Sequence, residues 1–356
     1  MSGTRTSMRI ALALCGILTA VPFGLHAQNA PAKKPSTSRA PRRAASPRIS
    51  LAPKFVPGQA FRYQMEFETT TETSRSGLAS DPQGPSSLVV DWSAAVRMEV
   101  LPPDSNTPGG IRLRTTYEKS SAMVRTDTVD PAATQTTDQY KQLEGKSIEF
   151  TLDAVGNVKY VAGLEGIVDS EKASQSAHEW ISQLNASAGA PPGGVTIGQS
   201  WSSEQPADSL PLAGLVWHTD SQYLRNESCH PPNPDVPNPD VPNAAPAANP
   251  PVNSPAPADC AVILANLSLI RSKTARDSTP PELRKNGVQS EGKWTGSAQS
   301  LVYVSLATGM VVSVTQTGTE QMDVRLTSNH STSIRYSGTI ATRSQVALVS
   351  EGAAGK

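Results

Sequence analysis

The feature that most constrains this chain is a strict alternation of apolar and polar residues over unusually long runs. Phe61, Tyr63, Met65 and Phe67 alternate with Arg62, Gln64, Glu66 and Glu68. Val90, Trp92, Ala94, Val96, Met98 and Val100 alternate with Asp91, Ser93, Ala95, Arg97 and Glu99. Ile111, Leu113, Thr115 and Tyr117 form a third run. A period of two is the signature of a strand with one face buried. The three runs follow one another with only turn residues between them. Parallel pairing would need helical crossovers, so the runs predict an antiparallel meander.

The stretch Ser147–Leu184 adds a hairpin and a helix. Ile148, Phe150 and Leu152 alternate with polar residues, Asp153 to Gly156 turns the chain, and Val158, Tyr160 and Val161 return. Ala173, Ala177, Trp180, Ile181 and Leu184 then fall on one helical stripe. This predicts a helix over 169–185 laid on the sheet. Residues 128–146 are polar and predict one helical turn around Tyr140.

Beyond Pro191 the pattern starts again. Gly58-Gln59-Ala60-Phe61 has a counterpart in Gly198-Gln199-Ser200-Trp201. The spacing Phe150, Gly156, Val158, Val161 repeats as Tyr303, Gly309, Val311, Val314. Either the chain holds two similar halves, 55–190 and 191–350, or one continuous sheet reuses the same hairpin chemistry. The second half predicts strands from Leu215 to Arg225, from Cys260 to Leu269, and over 288–304, 310–326 and 333–348. Residues 271–287 read as a polar linker. Gly292, Gly296 and Gly318 inside these strands predict bulges or close approach of another backbone.

Residues 231–259 interrupt the second half with 11 prolines in 29 residues. Proline lacks an N–H and fixes φ, so this insert cannot join a sheet. Cys229 and Cys260 flank it. They predict a disulfide at the base of a proline-rich loop, closing facing strand ends.

The termini speak to compartment. Arg5 and Arg9, the apolar run from Ile10 to Leu25, and Leu25-His26-Ala27 form the three regions of a signal peptide over 1–27, which predicts export to the periplasm or beyond. Cys15 lies inside it, leaving two cysteines in the mature chain. Residues 28–54 hold seven basic residues and no acid. Their Pro, Ala and Ser content predicts a disordered leader, one able to adhere to an anionic envelope polymer. The leader carries no aromatic residue for base stacking, which argues against nucleic acid.

No catalytic or metal constellation emerges, and no cofactor is expected. His178-Glu179 begins like a zincin motif, but Ser182 stands where the second histidine would be. His218 and His330 are isolated. Glu66, Glu68, Glu99, Glu118 and Glu149 fall on the polar strand face, where carboxylates serve solubility. The tryptophans are more informative. Trp92, Trp180, Trp201, Trp217 and Trp294 are either core or the lining of an apolar cavity under a curved sheet.

Long antiparallel strands, the G-Q-x-aromatic start, the D-x-x-G-x-V hairpin and the export signal together resemble the secreted β-sheet proteins of bacteria with Gram-negative-type envelopes. More remotely, they are similar to the LolA/LolB-like lipoprotein carriers, half-barrels that wrap a curved sheet over helices and hold acyl chains. The resemblance covers about 55–350 and implies a mainly β fold, curved or sandwiched, and a lipid or other apolar ligand. The expectation is an exported, non-catalytic binding module for an apolar or amphipathic ligand. Two other readings stay open: a structural envelope protein using its leader and proline loop, and a secreted hydrolase.

Overall fold

The computed structural model describes residues 47–77, 85–103, 110–127, 131–152, 158–163, 190–191, 193–207, 210–229, 259–272, 278–328 and 333–353. In chain order they form β1 (Gln59–Gly77), β2 (Ser86–Leu101), β3 (Ile111–Thr126), α1 (Pro131–Gln142), β4 (Ser147–Leu152) and β5 (Val158–Gly163). The second half gives β6 (Ser200–Pro206), β7 (Leu215–Ser228), β8 (Asp259–Arg271), α2 (Pro281–Lys285), β9 (Val288–Ser305), β10 (Val311–Ser328) and β11 (Ser333–Ala353). The signal peptide, the predicted helix over 169–185 and the proline insert lie outside the described residues.

All the strands belong to one 11-stranded sheet with the order β5-β4-β3-β2-β1-β11-β10-β9-β8-β7-β6. Every pairing is antiparallel. At about 4.8 Å per strand the sheet is about 50 Å wide. The two predicted halves are therefore the two wings of a single sheet. They meet where β1 pairs along its whole length with β11, from Gln59 opposite Ala353 to Gly77 opposite Ile334.

The wings repeat one element order. Strands β1, β2 and β3, helix α1 and hairpin β4–β5 are followed by β6, β7 and β8, helix α2 and hairpin β9–β10. The Gly-Gln pairs open both wings with the same turn. Gly58 and Gly198 take positive φ of 86° and 84°. Gly58 N–H donates to Val100 O and Gly198 N–H to Tyr223 O, at 2.8 and 2.7 Å. Gln59 Oε1 accepts from Val56 N–H, and Gln199 Oε1 from Thr196 N–H. Phe61 and Trp201, two residues after each Gln, are buried.

Register carries the alternation across the sheet. Met65 stands opposite Ala94 and Val346, Val346 opposite Val314, Val314 opposite Val302, and Val302 opposite Ile263. One face, the inner one, thus collects the apolar residues of β1 to β4 and β6 to β11. The outer face takes the charges, several of them paired: Arg62 with Glu118, Arg114 with Glu149, and Arg335 with Asp323.

Three parts of the fold differ from expectation. Residues 47–54 were expected to be leader, yet they are a strap across one end of the inner face. Ile49 bridges Val195 through two backbone hydrogen bonds of 2.9 and 2.8 Å. Leu51 is buried against Trp201, Tyr223, Ile263 and Val304. Arg48 donates to Gly194 O, and Lys54 to Ala307 O. These two cations of the predicted adhesive leader are thus tied to the fold. Residues 131–142, expected to give one turn, form a three-turn helix on β3, with Tyr140 stacked 5.6 Å from Trp92. The supposed linker 271–287 holds the one-turn helix α2, which starts on Pro281.

Cys229 and Cys260 are joined, their Cα atoms 5.0 Å apart. The bridge ties the end of β7 to the start of β8, the two strands that flank the proline insert in sequence. It fits an oxidising compartment. No described helix is long and apolar enough to cross a membrane. The cysteines are 31 residues apart. Replacing both with serine should lower stability by about 2–4 kcal/mol. Urea titration of the oxidised and double-serine proteins should show that loss, and no loss would mean the hairpin holds without its cross-link.

Candidate functional site

The inner face has three zones along the strand direction. At the strap end, Phe61, Tyr63, Met98, Leu113, Phe150 and Met310 form the main core. Tyr63 crosses β11 to donate its hydroxyl to Val311 O at 3.2 Å. Burial pushes that hydroxyl's pKa up, so it stays a donor. At the far end of the second wing, Trp217, Leu269, Trp294, Met322, Val324 and Ile340 form a second apolar cluster.

Between the clusters lies a belt of small and polar side chains. One cross-strand row through it reads Val90, Thr69, Thr342, Gly318, Ala298, Leu267, Thr219. The next reads Phe67, Ser344, Gln316, Ser300, Ala265, Ser221. Thr342, Gln316, Gly318, Ala298 and Gly296 keep partial exposure, although Thr69, Ser344 and Ser300 beside them are buried. The inner face therefore opens over β9 to β11, where the side chains are short.

The inner face holds polar groups without partners. Among the described residues six buried side-chain polar atoms make no hydrogen bond. One is His218 Nδ1, on the outer face between Glu204 and Asp220. The other five share the inner face: the hydroxyls of Thr69, Thr71 and Thr115, Trp201 Nε1 and Gln205 Oε1. An unbonded buried polar atom costs about 1–3 kcal/mol.

Glu320 is the residue the sequence reading missed. It stands on β10 in phase with Val314 and Met322, on the inner face, and is 4% exposed. Trp294 Nε1 donates to its Oε2 at 2.6 Å. No cation pairs with it among the described residues. Burial pushes its carboxyl up from the usual 4.5 to about 7, against the lowering effect of the Trp294 bond. A Cβ on Gly296 would sit 2.8 Å from Glu320 Cγ and 2.8 Å from Trp217 Cη2. The missing side chain at Gly296 is what lets the carboxylate and the indole come together over β9. In-phase polarity was the available signal: an acid at an apolar position of an alternating strand.

Four of the five tryptophans share the inner face but not one cluster. Trp217 and Trp294 join at the far end, and Trp201 sits by the strap. Trp92 is half-buried under α1, donating to Ser120 Oγ, which donates in turn to Tyr140 O. Trp180 lies outside the described residues, as do His178 and His330. Glu66, Glu68, Glu99, Glu118 and Glu149 point outward, as expected from their phase. No group of three metal-ligating side chains occurs among the described residues.

No family model matches the chain, and no curated protein matches it. A lipovitellin structure, titled for its lipid–protein interactions, aligns with 85% of this chain at 8% identity and a TM-score of 0.42. The match spans 26% of the lipovitellin chain. DynF, from the dynemicin biosynthesis pathway of Micromonospora chersina, aligns with 89% of this chain and 92% of its own at 8% identity and a TM-score of 0.16.

Two outcomes follow from the Glu320 geometry. The unfolded chain ionises this carboxyl above 4.5 and the folded chain above about 7. The folded protein binds the extra proton in that window, so Glu320 makes stability fall as pH rises from 4.5 to 7 and leaves it flat above. Glu320→Gln should remove this component, on the order of 1–3 kcal/mol, in melting curves taken across the window. An unchanged profile would mean the carboxyl is not buried as described. Gly296→Ala should cost about 1–3 kcal/mol by overpacking and should shift the tryptophan emission, since Trp217 must move.

Proposed function

We propose that the protein is an exported, non-catalytic binding module that holds an amphipathic ligand against the inner face of its sheet. The observation that carries this reading is the gathering of unpartnered buried polar atoms on a face that is otherwise apolar. An apolar chain finds surface in the two clusters, and a polar group finds hydroxyls and a carboxyl in the belt between them. Strands of 16–21 residues give the face a length of about 50–70 Å, enough for an extended acyl chain.

The non-catalytic part of the reading rests on the carboxylates. Those on β1 to β4 face outward, and three of them are neutralised by arginines: Glu118 by Arg62, Glu99 by Arg97, and Glu149 by Arg114. Export to the periplasm or beyond follows from the signal-like N-terminus, and the disulfide is compatible with it. Adhesion to an anionic envelope polymer keeps only the cations that precede Arg48.

Native mass spectrometry of the mature protein after mild extraction should show a co-purifying lipid or other amphiphile. A clean apo mass, unchanged by incubation with phospholipid vesicles, would count against carriage and return the protein to a structural role in the envelope.

A further inference from the structure

The chemistry of the belt narrows the ligand. Among the described residues, Glu320 is a buried carboxyl without a basic partner. Ile340 faces it from β11 and Gly296 from β9. Gly318 and Met322 flank it on its own strand, and the Trp217 indole lies over Gly296. None of these groups titrates. Asp323, Arg325, Arg335, Lys293 and Glu291 are on the outer face or exposed, and Asp323 is taken up by Arg335. Arg271, in phase at the far end of β8, is exposed. Structural acids in such settings are normally paired with a lysine or arginine. Here the polar contact is an indole N–H, and a second indole stands beside it.

A carboxylate between two tryptophans is the arrangement that receives an organic cation. The carboxylate supplies charge, and the indoles supply polarisable ring surface that tolerates a poorly hydrated ammonium. The half-buried stretch over Gly296, Ala298, Gly318 and Thr342 leads to it. Thr69, with its unpartnered hydroxyl, stands directly opposite Thr342. A primary amine has three N–H donors. Glu320 takes one, and the hydroxyls along the belt are available to the others.

We infer that Glu320, with Trp294 and Trp217, is the receptor for the cationic amine head of the amphipathic ligand, whose chain lies along the apolar inner face. This rests on the binding role proposed above and adds the class of head group. A carboxylate or phosphate head is disfavoured, because it would meet a like charge. A neutral hydroxyl head can donate one hydrogen bond to the carboxylate but brings no charge to it.

The test compares three twelve-carbon probes on the mature protein, each below its solubility or micelle limit: dodecylamine, dodecanol and dodecanoate. Binding is read by tryptophan emission and calorimetry. At pH 8 dodecylamine should bind about tenfold or more tightly than dodecanol, and dodecanoate more weakly than either. The preference should shrink toward unity at pH 5, where Glu320 is protonated and the amine is still charged. Glu320→Gln should shrink it likewise at pH 8, since the amide oxygen still accepts from Trp294 but carries no charge to meet the amine. The pH series on the unmodified protein decides the matter even if the variant misfolds. Equal binding of amine and alcohol at pH 8, or a preference unchanged at pH 5, would overturn the inference and leave the binding role standing. Failure of all three probes to bind would overturn both.

Discussion

The fold depends on the pairing of its first and last strands. β1 and β11 are hydrogen-bonded over their full lengths, and among the described residues no other contact of comparable extent joins the two wings. Without it there would be two smaller sheets, each with an exposed inner edge strand open to unwanted pairing. With it, the apolar phase of β1 continues through Val346 into β10 and β9, and the inner face becomes one surface. This closure is costly in chain entropy, because it joins residues nearly three hundred positions apart. Long strands offset that cost by adding cross-strand pairs in register. The strap reinforces the closure at one end: Leu51 and Ile49 cross from the second wing toward β1, tied down at Val195 and at the β9–β10 turn.

The inner face is not lined alike along its length. At the strap end it is filled, by Phe61, Tyr63, Met98 and their neighbours. In the middle it is not lined for dry packing. Glycine, alanine, serine and threonine replace large residues over β9 to β11, and hydroxyls are buried without partners. Such a belt raises the energy of the closed, dry state, and proteins tolerate that where a site needs it. Glu320 is the extreme case. Its carboxyl is held near neutrality by burial and kept in place by a single indole, next to a glycine that makes the room.

Much of this was legible in the sequence because a period of two leaves little choice. The strands of both wings, the outward phase of Glu66, Glu99 and Glu149, and the bridge between Cys229 and Cys260 all followed from local pattern and spacing. The repeated Gly-Gln turns were visible as well, and they proved to be the same structure. What stayed hidden was non-local or masked by composition. Nothing in β1 or β11 marks the other as its partner. The strap escaped notice because Ile49, Leu51 and Phe55 alternate only briefly, broken by Pro53 and flanked by cations. Helix α1 has no apolar stripe to announce it, being rich in threonine and glutamine, and it is held instead by Tyr140 on Trp92. Glu320 was overlooked because an acid in a strand suggests solvent, although its phase placed it inside.

The central claim is that the belt between the two apolar clusters is a place for a molecule other than this chain. A crystal structure of the protein isolated from its envelope fraction without denaturant tests it most directly. The account predicts elongated density over Gly296, Gly318 and Thr342, with its polar end within hydrogen-bonding distance of Glu320. The same region packed by the protein's own side chains, with Thr69 and Thr71 bonded to them, would contradict it.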